Sequence, residues 1–238
     1  MDGTGRRWRT AAVAIGAGIG LLFATPGFAS VDNDLARLVE LNPGVSAAEL
    51  EEAARDWASA NGVTYADALA RARSEAEAAL GESSTGGDCS KRAIGEARNK
   101  GDVFHSTSSL AGVEHGHTGL YRATNYITEA PGPNKKSDTF EAAGRRYCAT
   151  ISKMSVDTSG GNRSEAADYA DASLTGKSYD LKFAFNKDDS VDWLNCSELV
   201  WKAYKRSVDV DLDGDGGTTV FPADIRDSSL TDTYETLR

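Results

Sequence analysis

Around Gly81-Glu82-Ser83-Ser84-Thr85-Gly86-Gly87 the chain changes character, with helical periodicity before this Gly/Ser-rich stretch and strand-like runs after it. No single repeat runs through the protein, so coiled coil and solenoid are excluded. Upstream, Ser46-Ala47-Ala48-Glu49 and Thr64-Tyr65-Ala66-Asp67 each place a capping hydroxyl three residues before an acid, and Asn61-Gly62 supplies a stop between them. These signals predict helices over 34–41, 47–60 and 65–80. Downstream, 101–104 enters a strand, 118–121 and 126–130 form a hairpin around Ala123-Thr124-Asn125, and 146–156 forms a further strand. Helices are expected over 164–174 and 196–206. Strands followed by helices in this order predict an α+β domain over 87–238, preceded by a helical accessory segment and linker over 30–86.

The first 29 residues read as a signal peptide. Arg6-Arg7-Trp8-Arg9 is followed by an apolar run from Ala11 to Ala24 and then by Pro26-Gly27-Phe28-Ala29-Ser30, which places cleavage after Ala29. The apolar run is shorter than the ~20 residues needed to span a bilayer. Trp8-Arg9-Thr10 lacks the apolar pair that usually follows a twin arginine, so general secretion is the expectation. The predicted mature chain is secreted, without a membrane span, and monomeric; association with a cell wall stays open. Its Ala-, Asp- and Gly-rich composition suits a bacterium of high GC content.

Charge narrows the partners. The chain has 26 basic and 36 acidic residues, a formal charge of −10. Removing Arg6, Arg7, Arg9 and Asp2 with the signal makes it more negative still, and no basic patch is visible. Such a surface repels phosphate backbones, so nucleic acid is excluded as a partner.

Three cysteines are an odd number for an exported protein. Asn195-Cys196-Ser197-Glu198 fits a capping box, which sets Cys196 in the first turn of a helix. Free N–H groups and the helix dipole favour a thiolate there, lowering the thiol pKa as a nucleophile requires. A buried structural cysteine is the alternative. Of the three pairings, only Cys89–Cys148 leaves Cys196 free; it would close a loop worth roughly 4 kcal/mol in chain entropy. A cysteine nucleophile needs a base, and the histidines are His105, His115 and His117. His117 opens a probable strand, where Gly119 lets a neighbouring chain approach. His105, beside a Ser/Thr-rich loop, and His115, before a glycine, read as exposed loop residues.

Gly101-Asp102-Val103-Phe104, His117-Thr118-Gly119-Leu120-Tyr121, Thr128-Glu129-Ala130 and the run from Asn195 to Tyr204 together resemble the permuted papain-like NlpC-type cysteine hydrolases, the YiiX/YycO/YebB-like family. Tyr179-Asp180-Leu181-Lys182-Phe183 and the Asp211–Gly217 stretch with Pro222 resemble segments around the family's cysteine. The resemblance covers about residues 95–227 and leaves the N-terminal helices aside. It implies a circularly permuted papain-like fold, with Cys196 as nucleophile, His117 as base, Glu129 orienting the imidazole and Tyr179 at the substrate. The Glu129 assignment carries a geometric condition: a hairpin register with Gly119 opposite Glu129 turns the acid to the His117 face, and a one-residue slip turns it away.

Asp209, Asp211, Asp213 and Asp215 alternate into Gly214, Gly216 and Gly217 like the opening of a calcium loop. An EF-hand ends on a bidentate Glu at its twelfth position, yet counting from Asp209 reaches Val220 and from Asp211 reaches Pro222. A solvated turn is therefore expected, with an irregular structural calcium site at Asp211, Asp213 and Asp215 as the alternative. No other cofactor is expected.

The resemblance implies an amidase or peptidase acting through a thioester on a peptide or small amide, with cell-wall peptides a natural substrate for an exported bacterial protein. The rivals are a lipid acyltransferase or thioesterase using the same dyad, and a non-catalytic calcium-binding extracellular protein.

Overall fold

The computed structural model describes residues 28–82, 91–107 and 115–238. The first 27 residues of the expected signal peptide, Cys89 and most of the Gly/Ser-rich linker lie outside them. Three helices come first: α1 (Phe28–Leu41), α2 (Ala47–Asn61) and α3 (Tyr65–Glu82). Ser46 caps α2 through the reciprocal bonds its motif requires, Gly62 stops it at φ 67°, and Asp67 N–H donates to Thr64 Oγ1 at 3.1 Å to start α3. Helix α1 begins six residues earlier than the sequence suggests. Val31, Leu35 and Leu38 continue one apolar stripe, so tertiary packing carries the helix through Asp32-Asn33-Asp34.

An antiparallel sheet follows, built from β1 (Lys91–Ala93), β2 (Val103–Thr107), β3 (His117–Ala123), β4 (Tyr126–Glu129), β5 (Asp138–Glu141), β6 (Arg146–Val156) and β7 (Thr231–Leu237). The spatial order is β1-β6-β2-β3-β4-β5, with β7 also on β6. Helices α4 (Gly160–Ser173), α5 (Cys196–Val208) and α6 (Pro222–Asp227) complete an α+β architecture. The short strands β1 and β5, the last strand β7 and the six-residue α6 carry too little periodicity to be read from sequence. Helix α4 starts four residues early because Ser159 Oγ accepts the Asn162 N–H, which takes Gly160-Gly161 into the first turn.

Side-chain alternation gives the sheet two apolar faces. Val103, Leu120 and Met154 join Ala166, Ala170, Leu199 and Ala203 of α4 and α5 in one core, while Phe104, Tyr121, Ile127, Tyr147 and Ile151 form another. A third core joins the N-terminal helices to the rest: Leu38, Leu50, Leu69 and Ala72 pack with Phe183, Phe185 and Phe221. Buried Asn42 at the end of α1 reinforces this contact, its Oδ1 accepting the N–H groups of Phe183 and Ala184, both at 2.9 Å. Glu75 of α3 likewise accepts from the Thr218 N–H and hydroxyl. Among the described residues, no helix is long and apolar enough to cross a membrane.

Candidate functional site: a cysteine, a histidine and a buried glutamate

Cys196 is the first residue of α5, and His117 is the first residue of β3. Asn195 makes the capping box: its Oδ1 accepts the Glu198 N–H at 3.0 Å, and Glu198 Oε2 accepts the Asn195 N–H at 2.9 Å. Cys196 is a free thiol, 1% exposed. Behind it, Lys202 is fully buried and donates to Glu198 Oε1 at 2.9 Å, to Asp188 at 3.1 Å and to the Ser190 carbonyl at 2.7 Å. Burial pushes the Glu198 carboxyl up to about 8, against the pull of Lys202. The turn that presents Cys196 is thus anchored by an ion pair within α5.

The His117 ring joins Cys196 to Glu129. Its Nε2 lies 2.5 Å from Glu129 Oε2, which leaves Nδ1 as the ring nitrogen for the cysteine. Burial opposes charge on the imidazole, but hydrogen bonds and charge from Cys196 and Glu129 prevail and raise it to about 10. Glu129 is fully buried. Burial alone would raise its carboxyl, yet His117, Arg145 and Tyr147 together hold it below the usual range. Tyr147 donates its hydroxyl to Oε2 at 2.8 Å, and Arg145 ion-pairs with Oε1. Tyr147 also stacks on the His117 ring at 5.3 Å between centroids, with Phe104 at 5.8 Å. These contacts fix the ring plane.

The hairpin register meets the condition set by the sequence. Leu120 pairs with Thr128 and Tyr121 with Ile127, which sets Gly119 opposite Glu129 and turns His117 and Glu129 to the same face. Tyr179 completes the cluster; burial first, and the charge of the neighbouring Cys196 second, push its hydroxyl well above its ordinary range. The 178–180 segment is held beside 192–194 because Leu194 N–H donates to the Ser178 carbonyl, Ser178 N–H to the Asp192 carbonyl and Asp180 N–H to the Leu194 carbonyl.

Two expectations need correction. His105 and His115 are buried, not exposed loop residues. His105 lies within β2, between Thr118 of β3 and Ser152 of β6, and Ser106 and Thr107 after it are strand residues too. Burial pushes its pKa down to about 3. His115 stacks on Phe183 at 4.2 Å, and burial pushes it down to about 4. Arg145 and Tyr147 were not anticipated as supports of Glu129. They belong to another part of the sheet and carry no local signal.

The expected Cys89–Cys148 bridge reaches outside the described residues at Cys89; the Cys148 backbone pairs with Lys91, two positions from it in sequence. In the acidic loop, carboxylate oxygens of Asp213, Asp215 and Asp224 lie within 4.8 Å of one another. Asp211 is turned away to the Trp201 indole N–H, 2.8 Å from its Oδ1. The Lys187 ammonium bonds Asp213 and already brings a positive charge to this group. One oxygen from each carboxylate supplies three of the six to eight that calcium takes, and bidentate binding would supply six.

No family model matches the chain. Over 140 residues, 58% of its length, the chain is 33% identical to the uncharacterized protein YycO of Bacillus subtilis (strain 168), and it spans 56% of that protein. Among solved structures, the metalloprotein YiiX from Escherichia coli O157:H7 aligns with 58% of this chain and 97% of its own, at 18% identity and a TM-score of 0.42. The sequence match to YycO supports a relationship with YiiX/YycO-like proteins.

Proposed function

We propose that this chain is a secreted cysteine hydrolase that cleaves an amide bond through a thioester, on a circularly permuted papain-like domain of the NlpC type. The observation that carries the reading is the His117 imidazole, set between Cys196 at a helix start and a buried Glu129. A structural cysteine has no need of a histidine oriented by an acid that is itself held by Arg145 and Tyr147.

In the proposed reaction His117 takes the Cys196 proton, and the thiolate attacks the amide carbonyl carbon. The Cys196 backbone N–H and the Tyr179 hydroxyl donate to the oxyanion. The imidazolium then passes its proton to the departing amine, leaving an acyl thioester. Water, deprotonated by His117, attacks that thioester and releases the carboxylic acid and the thiol. Glu129 holds the ring in place and stabilises its charged form through both halves. A Cys89–Cys148 bridge would keep Cys196 out of disulfides in an oxidising compartment. A cell-wall peptide or small amide suits an exported enzyme of this kind.

Iodoacetamide labelling across pH, mapped by peptide mass, tests the nucleophile. Cys196 is expected to alkylate well below pH 8, and His117→Ala to remove that low-pH reactivity. A Cys196 that labels only after denaturation would sink the reading in favour of a structural thiol. N-terminal sequencing of secreted material is expected to begin at Ser30; a start at Met1 would overturn the export assignment.

A further inference from the structure

A cleft of about 1120 Å³ has α2 of the N-terminal segment as one wall and is also lined by Tyr179 and Trp193; Cys196 and His117 are not among its lining residues. Tyr179 and Trp193 link the two places, since their segments pair with each other immediately before Asn195-Cys196 and both residues line the cleft. Along α2, Glu49, Glu52, Asp56 and Ala60 recur every three or four residues, so one helical stripe faces the space. The segment from Tyr179 to Lys182 and Trp193 also line it. Trp193 is 58% exposed, an unusual state for so large an apolar side chain.

The charges in the cleft are not balanced. Its basic groups already have partners: Lys187 pairs with Asp213, Arg71 with Glu75 at 2.9 Å and with the Gly216 carbonyl at 3.1 Å, and Lys182 with Asp188, itself a lining residue, at 3.6 Å. Glu49 is occupied by the Ser46 cap. Among the described residues, Glu52 and Asp56 make no hydrogen bond or ion pair, although they lie one turn apart on the lining stripe. Two free carboxylates and an exposed indole lining one cleft suit a cation on an apolar stem, since an indole accepts methylenes and attracts the charge while the acids bond the ammonium.

We propose that this cleft is the substrate groove and that it selects peptides bearing a primary-amine side chain, with Glu52 and Asp56 holding the ammonium and Trp193 packing its stem. The substrate role rests on the hydrolase reading above. On this view the N-terminal helices build a wall of the binding site.

The test uses the full chain with Cys196→Ala and N-acetyl hexa-alanine amides carrying one lysine, or one norleucine, at each position in turn. By calorimetry at least one lysine peptide is expected to bind about 10-fold tighter than its norleucine twin, a difference of about 1.4 kcal/mol. The Glu52→Gln/Asp56→Asn pair should erase that preference, and Trp193→Ala should weaken both peptides. Equal binding of the twins, a preference that survives the double substitution, or no lysine peptide binding at all would overturn the assignment. Alkylation of Cys196 in the unsubstituted protein reports separately on the hydrolase. A reactive cysteine without lysine preference removes only the groove assignment. A lysine preference with an inert cysteine removes the hydrolase and the substrate role, and leaves an amine-binding cleft.

Discussion

Gly119 stands opposite Glu129 across the β3–β4 hairpin, and a methyl group added at Gly119 would fall 2.6 Å from Phe104 Cε1 and 3.2 Å from Glu129 Cβ. The missing side chain lets Phe104 and Glu129 close in around the His117 ring, two residues along the same strand. Gly119→Ala is therefore expected to cost about 1–3 kcal/mol through overpacking. It should also slow amide hydrolysis more than a substitution of equal cost elsewhere in the sheet. Denaturant unfolding together with turnover checks this; unchanged turnover in the destabilised variant would argue against His117 as the base.

Members of one catalytic unit are not additive. Cys196→Ala and His117→Ala should each abolish hydrolysis, a loss of at least ~10²–10⁴-fold for the base. The double variant should be no worse than either. Glu129→Gln should cost less, because the base remains. Circular dichroism is expected to show all these variants folded. Full activity in His117→Ala would remove it from the mechanism.

The three histidines by themselves give stability a maximum near their ordinary pKa, while the raised Glu198 carboxyl adds stability that is lost as pH rises toward about 8. The folded-state pKa of His117 is raised to about 10, so its contribution is complete below about 6.5 and is lost as pH climbs toward 10. His105 and His115 are depressed to about 3 and about 4, so below about 6.5 the unfolded chain binds protons that the folded chain refuses, and stability falls. Urea midpoints from pH 4 to 10 should trace this dome. His115→Phe, which can stack on Phe183, should flatten the acid limb, and His117→Asn the alkaline one.

Lys202 is 0% exposed and leaves Glu198 its main compensation. Lys202→Met should cost about 3–5 kcal/mol, because a charged or forcibly protonated Glu198 stays buried. It should also loosen the Asn195 cap and lower Cys196 reactivity. Combining it with Glu198→Gln should recover much of the stability, as judged by thermal melts. No recovery would show that Lys202 matters through packing alone.

Asn42 tests how firmly the N-terminal helices are joined to the sheet domain. Asn42→Ala leaves the Phe183 and Ala184 N–H groups buried without their acceptor, at a cost of roughly 1–3 kcal/mol for each. Hydrogen exchange should rise at 183–185 and in α1 together. Exchange rising in α1 alone would mark the helices as loosely attached.

Much of the site was legible because its signals are local. The Asn195-Cys196-Ser197-Glu198 box, the Ser46 and Thr64 caps and the Asn61-Gly62 stop each act over three or four residues, a range that sequence displays directly. The His117–Glu129 relation was legible only as a condition, since alternation defines which residues share a face but the register decides which residues meet.

What tertiary structure alone decided lies in contacts between distant segments. Neither Arg145 nor Tyr147 announces itself as a support for Glu129, because β2 and β3 lie between β6 and β4 and only the assembled fold brings these side chains to the acid. His105 and His115 look like loop residues until β6 covers one and Phe183 covers the other. Asp224 joins Asp213 and Asp215 because α6 folds back on the acidic loop. Hydrogen-bonding geometry near the backbone is written in short motifs, whereas burial and charge compensation depend on what the rest of the chain brings alongside. For this protein the sequence therefore determined the longer helices, the β3–β4 hairpin, the long strand β6 and the helix-start cysteine. Packing decided the charge state of the histidines, the surroundings of Glu129 and the cleft beneath α2.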